Sequence, residues 1–266
     1  MKKNRQKPQA LILDMDGVLW RGSQPLGNLP AIFDTIRALG LRVLLATNNA
    51  TLSRDDYLEK LRKLSVELER WQVVNSGDAT AHFLKQKFPT GGAVFIVGEN
   101  GLAHTLAEAG FLKADADVLA VVVGMDRQLS YGQLGAAARA IRSGALFVGT
   151  NPDRTYPTPD GLMPGAGAVI AFLRAASDVE PIIIGKPSPE MYRVALERLQ
   201  TTPETTLIVG DRLDTDILGA QAIGAQTALV LSGVSDEQSA RSWQPPVDYI
   251  ARDLTALIEE LRVKFG

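Results

Sequence analysis

Short apolar runs alternate with longer amphipathic stretches along almost the whole chain, and this rhythm limits the possible folds more than any other feature. Residues 10–13 and 42–46 read as strands, and residues 29–39 and 54–64 as the helices that follow them. A helix between two strands carries the chain back across the sheet, so successive strands run parallel. The sequence therefore predicts an α/β protein built on a parallel sheet.

The rhythm continues with strands at 94–97, 119–123 and 146–148 and helices at 102–109, 131–141 and 166–175. A last series has strands at 182–184, 207–209 and 227–231 and helices at 189–199, 215–223 and 254–265. Turn-forming residues interrupt the pattern at Asn75, Ser76 and Gly77, and again from Ser177 to Pro181. These breaks divide the chain into a first part at 1–77, an inserted α/β domain at 78–179, and a return to the first domain at 180–266.

A chain of 266 residues, 45% of them hydrophobic, can bury a sizeable core. Its 28 Lys and Arg against 30 Asp and Glu leave a net charge of -2, without the basic field that a nucleic acid partner requires. The absence of cysteine excludes disulfides, thiolate zinc sites and a cysteine nucleophile. The apolar runs at 118–123 and 181–184 fall far short of the roughly 20 residues a spanning helix needs, so a membrane partner is not expected. A soluble, cytoplasmic protein with a frayed basic start over residues 1–8 is the expectation.

Ligands of open parallel sheets bind beyond the carboxyl ends of the strands. Asp14-Met15-Asp16-Gly17 follows the first strand, Thr47-Asn48-Asn49 the second, and Gly185-Lys186-Pro187 the run at 182–184; Gly210-Asp211-Arg212-Leu213-Asp214-Thr215-Asp216 follows 207–209. Each segment alone reads equally well as turn or capping chemistry, and for Asp214 the capping reading is preferred. Together, with all four strands in one sheet, they gather carboxylates, an ammonium, a hydroxyl and amides around one point. That set suits a phosphoryl group and a hard cation.

These segments resemble the four motifs of the haloacid dehalogenase superfamily of hydrolases. Gly185-Lys186-Pro187-Ser188-Pro189, the run Gly210 to Asp216, and Asn151-Pro152-Asp153 followed by Pro164-Gly165-Ala166-Gly167-Ala168 resemble its class IIA branch, which includes the NagD and p-nitrophenylphosphatase types. The resemblance implies a Rossmann-like core with an α/β cap inserted between the second and third motifs. It also implies a phosphatase rather than a dehalogenase, because Asp16 is present to act as acid and base. A cap-mediated homodimer is a further implication. Trp20 stands where a smaller aromatic is common, at a position not expected to touch the chemistry.

On this reading Asp14 is the nucleophile, and Asp14, the Asp16 carbonyl and Asp211 hold Mg2+, with Asp216 supporting a water beside it. Thr47, the Asn48 amide at a helix start, and Lys186 bind the phosphate of a small phosphorylated metabolite. Asn151 and Asp153 are candidates for substrate contact in a loop that reads equally as a rigid turn. His82 and His104 lack ligand spacing and are expected at the surface, and Met125-Asp126-Arg127 reads as a solvated turn. A phosphotransferase or a non-catalytic phosphometabolite-binding protein is the alternative on the same fold.

Overall fold

The computed structural model describes residues 6–158 and 161–266. They form two compact units. One contains the chain as far as Thr47, then Asp55–Val74 and Tyr192–Gly266; the other contains Asn48–Arg54 and Asn75–Met191.

The first unit is built on a six-stranded sheet in the order Tyr249–Ala251, Gln226–Val230, Thr206–Gly210, Ala10–Leu13, Arg42–Thr47, Val73–Asn75. Ala10–Leu13 lies parallel between Thr206–Gly210 and Arg42–Thr47, with Leu13 level with Val209 and Leu45. All four residues of Ala10–Leu13 are buried, as expected for a central strand covered on both faces. Leu11, Leu13, Val43, Leu45, Leu207 and Val209 point to one face, where helices Leu29–Ala38, Arg54–Lys63 and Leu254–Phe265 cover them. The opposite face buries Leu229 with Leu213, Ile217, Ala240 and Val247.

Two local features of this unit escape the periodic pattern. Trp20–Arg21 and Gln24–Pro25 form a two-residue antiparallel ladder too short to show in a hydrophobic period. The helix expected at 215–223 opens as a π turn, Leu213–Ile217, before the α segment Leu218–Ala222. Residues 1–5 of the basic start lie outside the described residues. Its remainder is anchored rather than frayed: Pro8 is buried, and Lys7 donates to the Phe265 carbonyl at 3.2 Å.

The second unit has a five-stranded, all-parallel sheet in the order Ile182–Ile183, Leu146–Gly149, Ala120–Val123, Gly92–Val97, Phe111–Lys113. Phe95, Val97, Val121, Val123 and Phe147 pack with Ala137, Ile141, Ile170 and Leu173 of helices Tyr131–Arg142 and Ala166–Ser177. Val94, Ile96, Val122 and Val148 alternate with them and are also buried. Asn75 begins this unit not as a loop but as a helix cap: its Oδ1 accepts from Asp78 N at 2.9 Å, and Asp78 Oδ2 accepts from Asn75 N at 3.1 Å.

One expectation is overturned here. The run at 182–184 was expected to join the first sheet, but Ile182–Ile183 pairs with Leu146–Gly149 of the second. Helix Ala166–Ser177 is the crossover between these two strands, and a short strand following such a helix adds beside the strand that preceded it. Three of the four motif-bearing strand ends therefore share one sheet, while Lys186 follows a strand of the other.

Candidate active site

In the first unit, the aligned strand ends bring Asp14, Thr47 and Asp211 to one edge of the sheet. Asp14 N donates to the Val209 carbonyl at 2.8 Å, which fixes the first aspartate to the neighbouring strand. The carboxylates of Asp14, Asp211 and Asp216 offer oxygens that all lie within 4.8 Å of one another, and all three residues are buried. The π turn supplies Asp216: its Oδ2 accepts from Arg212 N at 3.1 Å, and its carbonyl accepts from the Tyr192 hydroxyl at 3.2 Å. Such wide turns recur at functional sites, where they redirect a single side chain. Asp211 Oδ2 accepts from Val234 N at 2.8 Å.

Glycine is required around this trio for steric reasons. A Cβ on Gly233 would lie 1.9 Å from Asp211 Oδ2, and one on Gly210 would lie 2.2 Å from Asp216 Cγ. Gly17 adopts φ +85°, where an L side chain is strained, and its Cβ would stand 2.5 Å from Asp211 Oδ2. The bend expected at Gly17 is present, and the same glycine makes room for Asp211. Three carboxylates this close, with oxygen donors only, fit a small hard divalent cation such as Mg2+.

Asp16 stands apart from the trio. It is exposed, and Trp20 Nε1 donates to its Oδ1 at 3.0 Å. The turn Met15 to Trp20 folds the indole back onto Asp16, so Trp20, expected to stay clear of the chemistry, touches one of the residues that the sequence assigned to it. The Lys60 ammonium sits 3.8 Å from the centroid of the buried Trp20 ring and donates to the Gly22 carbonyl at 3.1 Å. Burial lowers the Lys60 pKa, while the charge of Asp16 opposes that shift.

Thr47 is buried, and its hydroxyl hydrogen-bonds the buried Tyr57. Burial drives the Tyr57 hydroxyl well above the usual tyrosine range, the charge of Asp16 adds to this, and the Thr47 bond opposes it. Tyr57 thus stays a neutral hydroxyl that fixes the orientation of Thr47. Asp214 is not a cap: it pairs with Arg212 at 3.0 Å in the first turn, and Arg212 occupies the cap position.

In the second unit, the side chain of Asn48 ties several backbone strands together. Its Oδ1 accepts from Lys186 N at 2.8 Å, and its Nδ2 donates to the Lys186 carbonyl at 3.0 Å and to Asp153 Oδ2 at 3.3 Å. The Asn48 carbonyl in turn accepts from Asn151 Nδ2 at 2.8 Å and Ser76 Oγ at 2.6 Å. A Cβ on Gly185 would meet Asn48 Oδ1 at 2.6 Å, so the loop before Lys186 closes only with glycine. Lys186 and Asn151 are buried. Asn48 does not open a helix as expected, since the next helix begins at Arg54.

Arg127 lies in an exposed turn, as expected, and its guanidinium pairs there with Glu99 through Nε at 2.6 Å and Nη2 at 2.7 Å. That pairing holds the Glu99 carboxyl below its ordinary range. His104 is exposed, and His82 lies half-buried beside Gln86 at 2.9 Å.

Residues 11–112 match the model of the haloacid dehalogenase-like hydrolase family, and residues 183–257 match a HAD-hydrolase-like model. An acid sugar phosphatase of Staphylococcus aureus is 35% identical over 254 residues, covering 95% of this chain and 98% of the relative. The chain belongs to the haloacid dehalogenase-like hydrolase family, and its place there is among the phosphatases. The structure of p-nitrophenyl phosphatase from Archaeoglobus fulgidus superposes with a TM-score of 0.90 at 31% identity, covering 96% of this chain and all of that one. A glycerol phosphate phosphatase from Mycobacterium tuberculosis, in complex with magnesium, superposes at 0.87 with 37% identity, covering 95% of this chain and 77% of that one.

Proposed function

We propose that this hydrolase is a magnesium-dependent phosphatase of small phosphomonoesters, acting through an aspartyl-phosphate on Asp14. The observation that carries the reading is the buried Asp14, Asp211 and Asp216 trio, with Asp16 two residues beyond Asp14 and outside the trio. Asp14, the Asp16 carbonyl, Asp211 and Asp216 are the residues that would hold Mg2+. Bound there, the metal offsets the negative charge that phosphate and nucleophile bring together.

The chemistry divides among the chain's own groups. An Asp14 carboxylate oxygen attacks phosphorus while the ester P–O bond breaks, and Asp16 gives the departing oxygen its proton. Water then attacks phosphorus, its proton passes to Asp16, and the bond from Asp14 to phosphorus breaks to release inorganic phosphate. Thr47, oriented by Tyr57, and the Asn48 amide are assigned to phosphate oxygens, and Lys186 supplies the ammonium.

The inserted domain, placed at 78–179 by the sequence, selects the group esterified to the phosphate, with Asn151 and Asp153 assigned to the substrate side. Sugar phosphates, phosphoglycolate, pyridoxal phosphate and p-nitrophenyl phosphate are the substrate types to screen, in an enzyme assigned to the cytoplasm. Light scattering tests the homodimer implied by the resemblance. The direct test of the function is release of p-nitrophenol from p-nitrophenyl phosphate. Activity should require Mg2+, disappear with a chelator, and return on adding the metal; full activity after exhaustive chelation sinks the proposal.

A further inference from the structure

The geometry points to Trp20 as a positioning residue for Asp16, one that fixes which carboxylate oxygen handles the proton. The inference rests on the phosphatase reading above. Its basis is a chain of contacts within one unit: the Lys60 ammonium 3.8 Å from the Trp20 ring centroid, and the indole N–H donating to Asp16 Oδ1 at 3.0 Å.

Asp16 is exposed and follows the strand by three residues, so its carboxylate would otherwise sample several rotamers in solvent. Trp20 is fully buried, and its backbone is pinned: Trp20 N donates to the Met15 carbonyl at 3.3 Å and its own carbonyl accepts from Gly17 N at 2.8 Å. Lys60, from helix Arg54–Lys63, covers the ring and donates to the Gly22 carbonyl at 3.1 Å, closing the hairpin over the indole. A buried indole must place its one donor, and here that donor goes to the acid.

With Oδ1 held by the indole, Oδ2 is the atom through which the proton passes. As the ester P–O bond breaks, its electron pair stays on the ester oxygen and the Oδ2 proton moves to that oxygen. Asp16 is left as a carboxylate that the indole N–H stabilises. In the second half, the proton of the attacking water returns to Oδ2.

A positioning role of this kind weighs most on esters whose leaving group needs the proton. Phenoxide is a poorer leaving group than p-nitrophenoxide, so kcat/KM for phenyl phosphate should depend more on Asp16. Trp20→Phe keeps an aromatic ring and removes the donor. We expect it to lower kcat/KM for phenyl phosphate roughly tenfold more than for p-nitrophenyl phosphate, a fraction of the 10²–10⁴-fold typical of general acid catalysis. The ratio of the two values is independent of how much enzyme is folded. Lys60→Met, which frees the ring without touching the donor, should shift the ratio the same way by a smaller factor, and it decides the question if Trp20→Phe does not fold. Equal loss on both esters, or an unchanged ratio, overturns the role of Trp20 alone. A wild-type protein inactive on both esters overturns the phosphatase reading instead.

Discussion

The two parallel sheets end in opposite chemistry. At the carboxyl edge of the six-stranded sheet, three carboxylates crowd within 4.8 Å of one another. At this separation each like-charge pair costs about 3–4 kcal/mol for an effective dielectric near 20. At the carboxyl edge of the five-stranded sheet, Asn48 instead joins Lys186, Asp153, Asn151 and Ser76 in complementary hydrogen bonds. Such bonds each contribute about 1 kcal/mol to folding. One edge gathers like charge at the expense of stability, as the proposed cation site requires, and the other is arranged for rigidity. The same architecture hosts both because its strand ends leave side chains uncommitted to the core.

Substitutions at each edge should therefore change different observables. The largest effect is expected for Asn48→Ala, which removes the partners of the buried Lys186 backbone. A loss of about 2–3 kcal/mol in unfolding free energy is predicted by denaturant titration, with the metal response of the first unit retained. Next comes Gly233→Ala, whose Cβ would displace Asp211: calorimetry should show Mg2+ affinity weakened roughly 10–100-fold, as for other disruptions beside metal ligands. An unchanged affinity would mean that Asp211 does not belong to the metal site.

A smaller effect of opposite sign separates the two edges most sharply. In metal-free protein, Asp211→Asn relieves like-charge repulsion and should raise Tm by about 2–4 °C, corresponding to about 1 kcal/mol. Added Mg2+ should stabilise the wild type and not this variant. A lower Tm for the metal-free variant would contradict the account of the trio. The smallest effect belongs to Asp214→Ala, since Asp214 is exposed and its ion pair with Arg212 lies at the surface; a change within about 0.5 kcal/mol is expected by thermal melting.

Much of the first edge was legible in the sequence because each of its aspartates follows an apolar strand within a few residues. Strand-to-turn transitions are local, and Asp14, Thr47 and Asp211 announce them by contrast with the buried runs before them. The destination of the strand at 182–184 was not legible, since a run of three isoleucines fits the edge of either sheet and only the crossover from Leu146–Gly149 decides between them. Nor was the role of Asn48 as a hub, whose partners Asn151, Asp153 and Lys186 lie 103 to 138 residues away. Trp20 left a clearer trace: an indole four residues from Asp16, across a turn that contains Gly17, is within reach of the acid whenever the turn closes. Tyr57 gave no such signal, because its position on the core face of a helix is that of any buried aromatic.

The central claim is that Asp14 carries the phosphoryl group, and trapping that species tests it most directly. In Asp16→Asn, p-nitrophenolate can leave without a proton while the attack of water lacks its base, so the phosphorylated enzyme should accumulate. Acid quenching during turnover, borohydride reduction and peptide mass spectrometry should then find position 14 converted to homoserine, and no such product in Asp14→Asn. Steady turnover with position 14 unmodified, or undiminished activity in Asp14→Asn, would contradict the account.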